Sequence, residues 1–118
     1  MMHMLLAGRN VLVVGMARSG LAAAEFLSKR GARVKVSDKR TEKELDTEIG
    51  FLRKHDIGYE VGGHVEDSFL NADLVVVSPG VPLRLSHLQK ASQSGKEVIS
   101  EVELASRFLK GRVIGITG

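Results

Sequence analysis

Cysteine is absent from the 118 residues, which rules out disulfides, thiolate-bound metals and cysteine nucleophiles. That fits a reducing compartment. Aromatic residues are scarce, at 4% with no tryptophan, and no basic run is long. A nucleic-acid surface draws on both, so that class of partner is set aside. No apolar run approaches the roughly 20 residues that cross a bilayer, so no membrane partner is expected. The opening MMHMLLAGRN has too short an apolar stretch and no cleavage pattern, and is not read as a signal peptide. The formal net charge is +3, with both signs spread along the chain, as on a solvated surface.

What is present suits one domain with a real core, since 43% of residues are apolar and 26% charged. Short valine-rich runs alternate with helical stretches. Residues 10–15, NVLVVG, read as a buried strand, because the run is short, continuous and β-branched. A helix follows with Leu21, Ala24 and Leu27 on one side and Phe26 beside them, stopped by Gly31. Residues 33–38, RVKVSD, form the second strand. Thr41 and Glu44 have capping-box spacing before a helix striped with Leu45, Ile49 and Leu52. IGYEVGG is a weaker third strand, and 73–80, DLVVVSPG, a strong fourth. Ser86 with Gln89 is placed to cap a helix ending near Gly95. EVIS is a short fifth strand. Ser100 with Glu103 caps a last helix carrying Val102, Ala105 and Leu109, and RVIGITG begins a sixth strand.

Strands alternating with helices imply crossover connections and a parallel sheet covered on both faces. The expected fold is therefore α/β, a Rossmann-like three-layer domain with a parallel sheet of about five strands. The finish on an apolar strand and a glycine turn reads as a piece cut from a longer chain.

In such a sheet, ligands bind beyond the carboxyl ends of the strands. Three segments reach that edge. Gly15 to Gly20, GMARSG, outlines a phosphate turn whose free N–H groups and helix dipole suit a phosphate, with Arg18 and Ser19 adding charge and a hydroxyl. The same glycines also serve a tight strand–helix turn. Ala17 stands where a dinucleotide site has its middle glycine, and its β-carbon hinders close pyrophosphate approach. Asp38 in SDKR ends the second strand, where a carboxylate can accept from ribose hydroxyls or a base N–H, with Lys39 and Arg40 beside it. Solvated loop charges would look alike. Ser78, Pro79 and Gly80 form the third segment, where a plain strand-to-loop turn is the simpler reading. His55, His64 and His87 share no ligand spacing, so no metal site is expected. Glu101 and Glu103 are accounted for by the dipole of the helix they begin. No catalytic residue is assigned.

Taken in order, these motifs resemble the N-terminal domain of the Mur ligases, in the branch that adds D-glutamate. That family shows G-x-G-x-[ST]-G after its first strand, here GMARSG, and an acidic residue after the second, here Asp38. S-P-G follows the fourth strand, here Ser78 to Gly80, and an acidic-start helix resembles SEVELA. The family's central domain opens with G-x-T-G-T-N-G-K-[ST], whose first four positions resemble the terminal GITG, Gly115 to Gly118.

The resemblance implies a division into a UDP-substrate-binding domain, 1–111, and the first strand of an ATP-binding central domain, 112–118. It implies a cytoplasmic enzyme of peptidoglycan synthesis with UDP-N-acetylmuramoyl-L-alanine and D-glutamate as substrates. ATP and magnesium would serve the full-length enzyme, activating the carboxylate as an acyl phosphate for attack by the D-glutamate amine. No cofactor would belong to this fragment, which would be inactive without the central and C-terminal domains. Arg18, Ser19 and Gly20 would meet the diphosphate. Asp38 and Lys39 would meet the uracil with Arg40 adjacent, and Ser78 and Gly80 would line the cleft. Gly118 would start the ATP-binding loop. Asp38, taken to sit at a loop edge, is expected to be replaceable without unfolding. The rivals are a sister Mur ligase and a stand-alone NAD-binding regulatory module, in which Asp38 would hold adenosine ribose. Ala17 and GITG count against the latter.

Overall fold

β-branched residues pack well on a pleated surface, and the valine-rich runs form the sheet. The computed structural model describes residues 6–82 and 84–108. In chain order the elements are β1 (Asn10–Val14), α1 (Arg18–Lys29), β2 (Arg33–Ser37), α2 (Asp46–Lys54), β3 (Gly58–Glu60), α3 (Glu66–Asn71), β4 (Leu74–Val77), α4 (Ser86–Gln93) and β5 (Glu97–Ser100). A further helix, α5, is described over 101–108. The five strands are all parallel, in the order β3-β2-β1-β4-β5. The expected α/β, Rossmann-like architecture is present.

Side chains alternate across each strand, and here both faces are covered. Val11, Val13, Leu74 and Val76 face one layer, with Leu27, Ile49, Leu52 and Leu104 from α1, α2 and α5. Leu12, Val14, Val75 and Val77 face the other, with Phe69 of α3 and Leu88 and Ala91 of α4. That explains why β1 and β4 read as unbroken apolar runs rather than alternating ones. The chain reverses direction across the sheet between β1 and β4, so crossovers leave that pair in opposite senses and open a crevice at its carboxyl end.

Local differences from the sequence reading have physical causes. α3 was not foreseen: six residues carry the return from β3 to β4 with one buried anchor, Phe69, too few for a helical period to show. The Thr41–Glu44 box closes, with the Thr41 N–H donating to Glu44 Oε1 at 2.9 Å and the Glu44 N–H to Thr41 Oγ1 at 3.3 Å. It tightens the turn before α2, however, and Leu45 occupies the cap position itself. Ser86 lies inside α4, and no side chain caps that helix. On α5 the buried apolar residue is Leu104, whereas Val102 is 72% exposed and Ala105 also faces solvent. Leu109, the expected sixth strand, the boundary after residue 111 and Gly118 lie outside the described residues.

The Ser100 cap does form: its Oγ accepts from the Glu103 N–H at 3.0 Å. Ser100→Ala is expected to cost about 1 kcal/mol, the usual worth of an N-cap hydroxyl, read from the urea midpoint.

Candidate functional site

Because every strand is parallel, the ends of β1, β2, β4 and β5 share one edge. Gly15 leaves β1 with φ of +110°, a conformation that favours glycine. A β-carbon there would come within 2.8 Å of the Ser78 side chain. The turn then enters α1 at Ala17, whose backbone is extended and which offers no side-chain cap. No acidic residue occupies the first turn of α1. The amides of Arg18, Ser19 and Gly20 therefore have no acceptor within the helix, as at any helix start. Ala17, Arg18 and Ser19 are exposed and Gly20 is buried.

Asp38 ties this turn to the end of β2. Its Oδ2 accepts from the Met16 N–H at 2.8 Å and from the Arg40 guanidinium at 2.9 Å. Its Oδ1 accepts from the Arg40 N–H at 2.8 Å and Nε at 3.1 Å. The residue is only 5% exposed, which corrects the loop-edge expectation. Burial pushes its pKa up, but the Arg40 side chain and the two backbone N–H donors outweigh that and hold it at about 2. Lys39 and Arg40 are exposed beside it.

Ser78 closes the third side. Its N–H donates to the Val14 carbonyl at 3.0 Å. Its side chain is buried and turned inward, away from solvent, with Oγ donating to Glu101 Oε2 at 2.5 Å. Gly80 lies exposed on the rim with open space around its α-carbon. The three segments singled out in the sequence thus meet at one edge, through Met16–Asp38 and Gly15–Ser78. Glu101 is the member that the sequence reading passed over as a dipole effect. The available signal was its position, directly after a strand that ends at the same edge.

Two histidines also come together near this rim. His64 and His87 have ring centroids 5.8 Å apart, both against Phe69. The Ser37 hydroxyl lies 2.7 Å from His64 Nδ1. Burial and the neighbouring His87 push the His64 pKa down. Among the described residues, no group of three or more His, Cys, Asp or Glu stands together as a metal-ligand set. A cleft of about 440 Å³ lies at the opposite, amino ends of β1 and β2 against α3, and none of the three segments lines it.

Residues 9–100 match the N-terminal domain of the MurD-like Mur ligases. The chain belongs to that family. A UDP-N-acetylmuramoylalanine–D-glutamate ligase of Acidobacterium capsulatum is 51% identical over 96% of this chain. One of Geobacter sp. is 50% identical over the same share. The chain spans about a quarter of those relatives, 24% and 25% of their lengths. Among solved structures, a pseudomurein peptide ligase type C from Methanothermus fervidus superposes with a TM-score of 0.67 at 21% identity. It covers 82% of this chain and 20% of its own. A shikimate dehydrogenase from Aquifex aeolicus gives 0.56 at 19% identity, over 81% of this chain and 43% of its own. At those identities the likeness is one of fold, shared by MurD-like domains and dehydrogenases alike. The distinction from a dehydrogenase therefore rests on the family match and not on the sheet.

Proposed function

We propose that this chain is the UDP-binding domain of an ATP-dependent ligase that joins D-glutamate to UDP-N-acetylmuramoyl-L-alanine in peptidoglycan synthesis in the cytoplasm. Residues 1–111 form that domain, and 112–118 begin a central ATP-binding domain, with Gly118 at the start of its phosphate loop. The observation that carries the reading is the convergence of Gly15–Gly20, Asp38–Arg40 and Ser78–Gly80 on one edge of a MurD-like sheet. The amides of Arg18, Ser19 and Gly20 take the diphosphate, aided by the dipole of α1 and the Arg18 charge. Lys39 and Arg40 bound the uracil end. Asp38, its oxygens already filled by Met16 and Arg40, acts through the rim that it organises. Ser78 and Gly80 form the opposite wall. ATP and magnesium belong to the full-length enzyme, and the residues of this chain bind and orient the sugar nucleotide.

Titration with UDP and, separately, with NAD, followed by amide NMR shifts, tests this. UDP is expected to move Arg18 to Gly20, Asp38 and Gly80. Movement with NAD alone would overturn the reading in favour of a dinucleotide module. Lys39→Ala should weaken UDP about fivefold, the worth of one exposed charge contact, with an unchanged melting temperature because the side chain is exposed.

A further inference from the structure

Glu101 is a buried carboxylate to which the UDP site assigns no role. It is 9% exposed, opens α5 directly after β5, and reaches across the carboxyl edge. Its Oε2 lies 2.5 Å from Ser78 Oγ. That hydroxyl has one proton and two acceptors in reach, the second being the Gly15 carbonyl at 3.3 Å. The shorter, charge-assisted bond to Glu101 takes it. Gly20 fills the remaining space: a β-carbon there would stand 3.0 Å from Ser78 Oγ and 3.2 Å from Glu101 Oε2. Glu101, Ser78, Gly15 and Gly20 therefore form one contact chain from β5 to the first turn of α1.

On charge alone, a carboxylate is a poor neighbour for an anion site. It would repel a diphosphate arriving at the same helix start. Its burial also carries a desolvation cost, since Oε1 has no hydrogen-bond partner among the described residues. The geometry supplies a reason to keep it, because among the described residues of α5 it is Glu101 that spans the gap to the Ser78 hydroxyl. We propose that Glu101 is a positioning residue: acting through Ser78, it holds the Gly15–Gly20 turn in the shape that leaves the Arg18, Ser19 and Gly20 amides open to a diphosphate. The identity of the anion rests on the UDP reading above, and the holding of the turn does not.

The test compares Glu101→Gln, Glu101→Ala, Ser78→Ala and the double alanine variant with two readouts. The first needs no ligand: hydrogen exchange at the bonded amides of Gly15, Leu21 and Ser78. Glutamine keeps a carbonyl oxygen for the Ser78 hydroxyl, so exchange should stay within about threefold. Glu101→Ala, which lets the Ser78 hydroxyl swing onto the Gly15 carbonyl and out of its packed position against the turn, should speed it at least tenfold. The double variant should match Ser78→Ala, because Glu101 acts only through Ser78. The second readout uses UDP as the probe. Glu101→Ala should bind it about tenfold more weakly, and Glu101→Gln as tightly as the parent or tighter, with the repelling charge gone.

Equal losses for glutamine and alanine, unchanged exchange in Glu101→Ala, or multiplying losses in the double variant would each overturn the proposal. If the parent chain fails to bind UDP while Glu101→Ala still loosens the turn, the UDP reading falls and the holding of the turn stands. If Glu101→Ala does not fold, Ser78→Ala must loosen the turn where Glu101→Gln does not.

Discussion

Gly20→Ala is expected to destabilise the chain by about 3–5 kcal/mol and to abolish UDP binding at the first turn. A β-carbon at this position would lie 2.2 Å from the Gly15 carbonyl oxygen. That neighbour is backbone, already fixed by the Gly15 N–H bond to the Ser37 carbonyl at 2.8 Å, so it cannot swing aside as a side-chain tip could. On the other flank stand Ser78 Oγ and Glu101 Oε2, both buried. Relief requires α1 to lift from the sheet, which also exposes Ala24 and Leu27, buried further along the same helix. A domain of this size has only about 5–15 kcal/mol in total, so the loss would remove much of its stability. Gly50→Ala is the matched control. It sits within α2 with nothing inside 4 Å, and the same chemical change should stabilise by up to about 1 kcal/mol through helix propensity. Urea denaturation reads both signs. A Gly20→Ala variant within about 1 kcal/mol of the parent would mean that the turn is not packed as described.

The contrast between these glycines marks what the sequence made legible. β1, β2 and β4 could be read because each is a short, β-branched, doubly covered run, and α1 because Ala24 and Leu27 recur on one side. Their order implies a parallel sheet, and hence places Gly15, Asp38 and Ser78 at one edge. What could not be read was direction within that edge. Asp38 and Ser78 have the composition of exposed ligand groups, yet both turn inward, because partners from other loops surround them: the Met16 N–H donates to Asp38, and the Gly15 carbonyl and Glu101 carboxylate accept around the Ser78 hydroxyl. Those partners are 22, 63 and 23 residues away, beyond any local pattern. α5 forms where expected, but its buried face differs for a related reason: a spacing of three suits Val102 and Ala105, whereas the helix is rotated to bury Glu101 and Leu104.

Asp38→Ala is expected to cost about 2–4 kcal/mol and to weaken UDP binding by at least tenfold, against the milder outcome that a loop-edge residue would give. The substitution strands the Met16 N–H, which is buried, and leaves the Arg40 guanidinium without its partner. The Met16 amide then loses its bond to the end of β2, and the turn that presents Arg18 to Gly20 loses one of its ties. Asp38→Asn separates charge from shape. It keeps one acceptor oxygen but sets an amide N–H₂ against Arg40 donors, so about half the loss should remain. The pH dependence gives the independent check. A carboxyl held at about 2, below its ordinary 3.8, contributes stability that is fully present above 3.8 and is lost as pH falls through 2. That depression corresponds to about 2–3 kcal/mol for this buried group. Glu25 is also held low, by Lys29, a pair far from Asp38 that both proteins share. Glu44 is held low chiefly by Thr41, which both proteins also share, with Arg40 and Asp38 as its smallest influences. Subtracting the Asp38→Asn stability curve from the parent's between pH 5 and pH 2 should therefore leave chiefly the Asp38 contribution. The difference should shrink steadily toward the acid end, and a difference that stays flat would show that the clamp carries no charge.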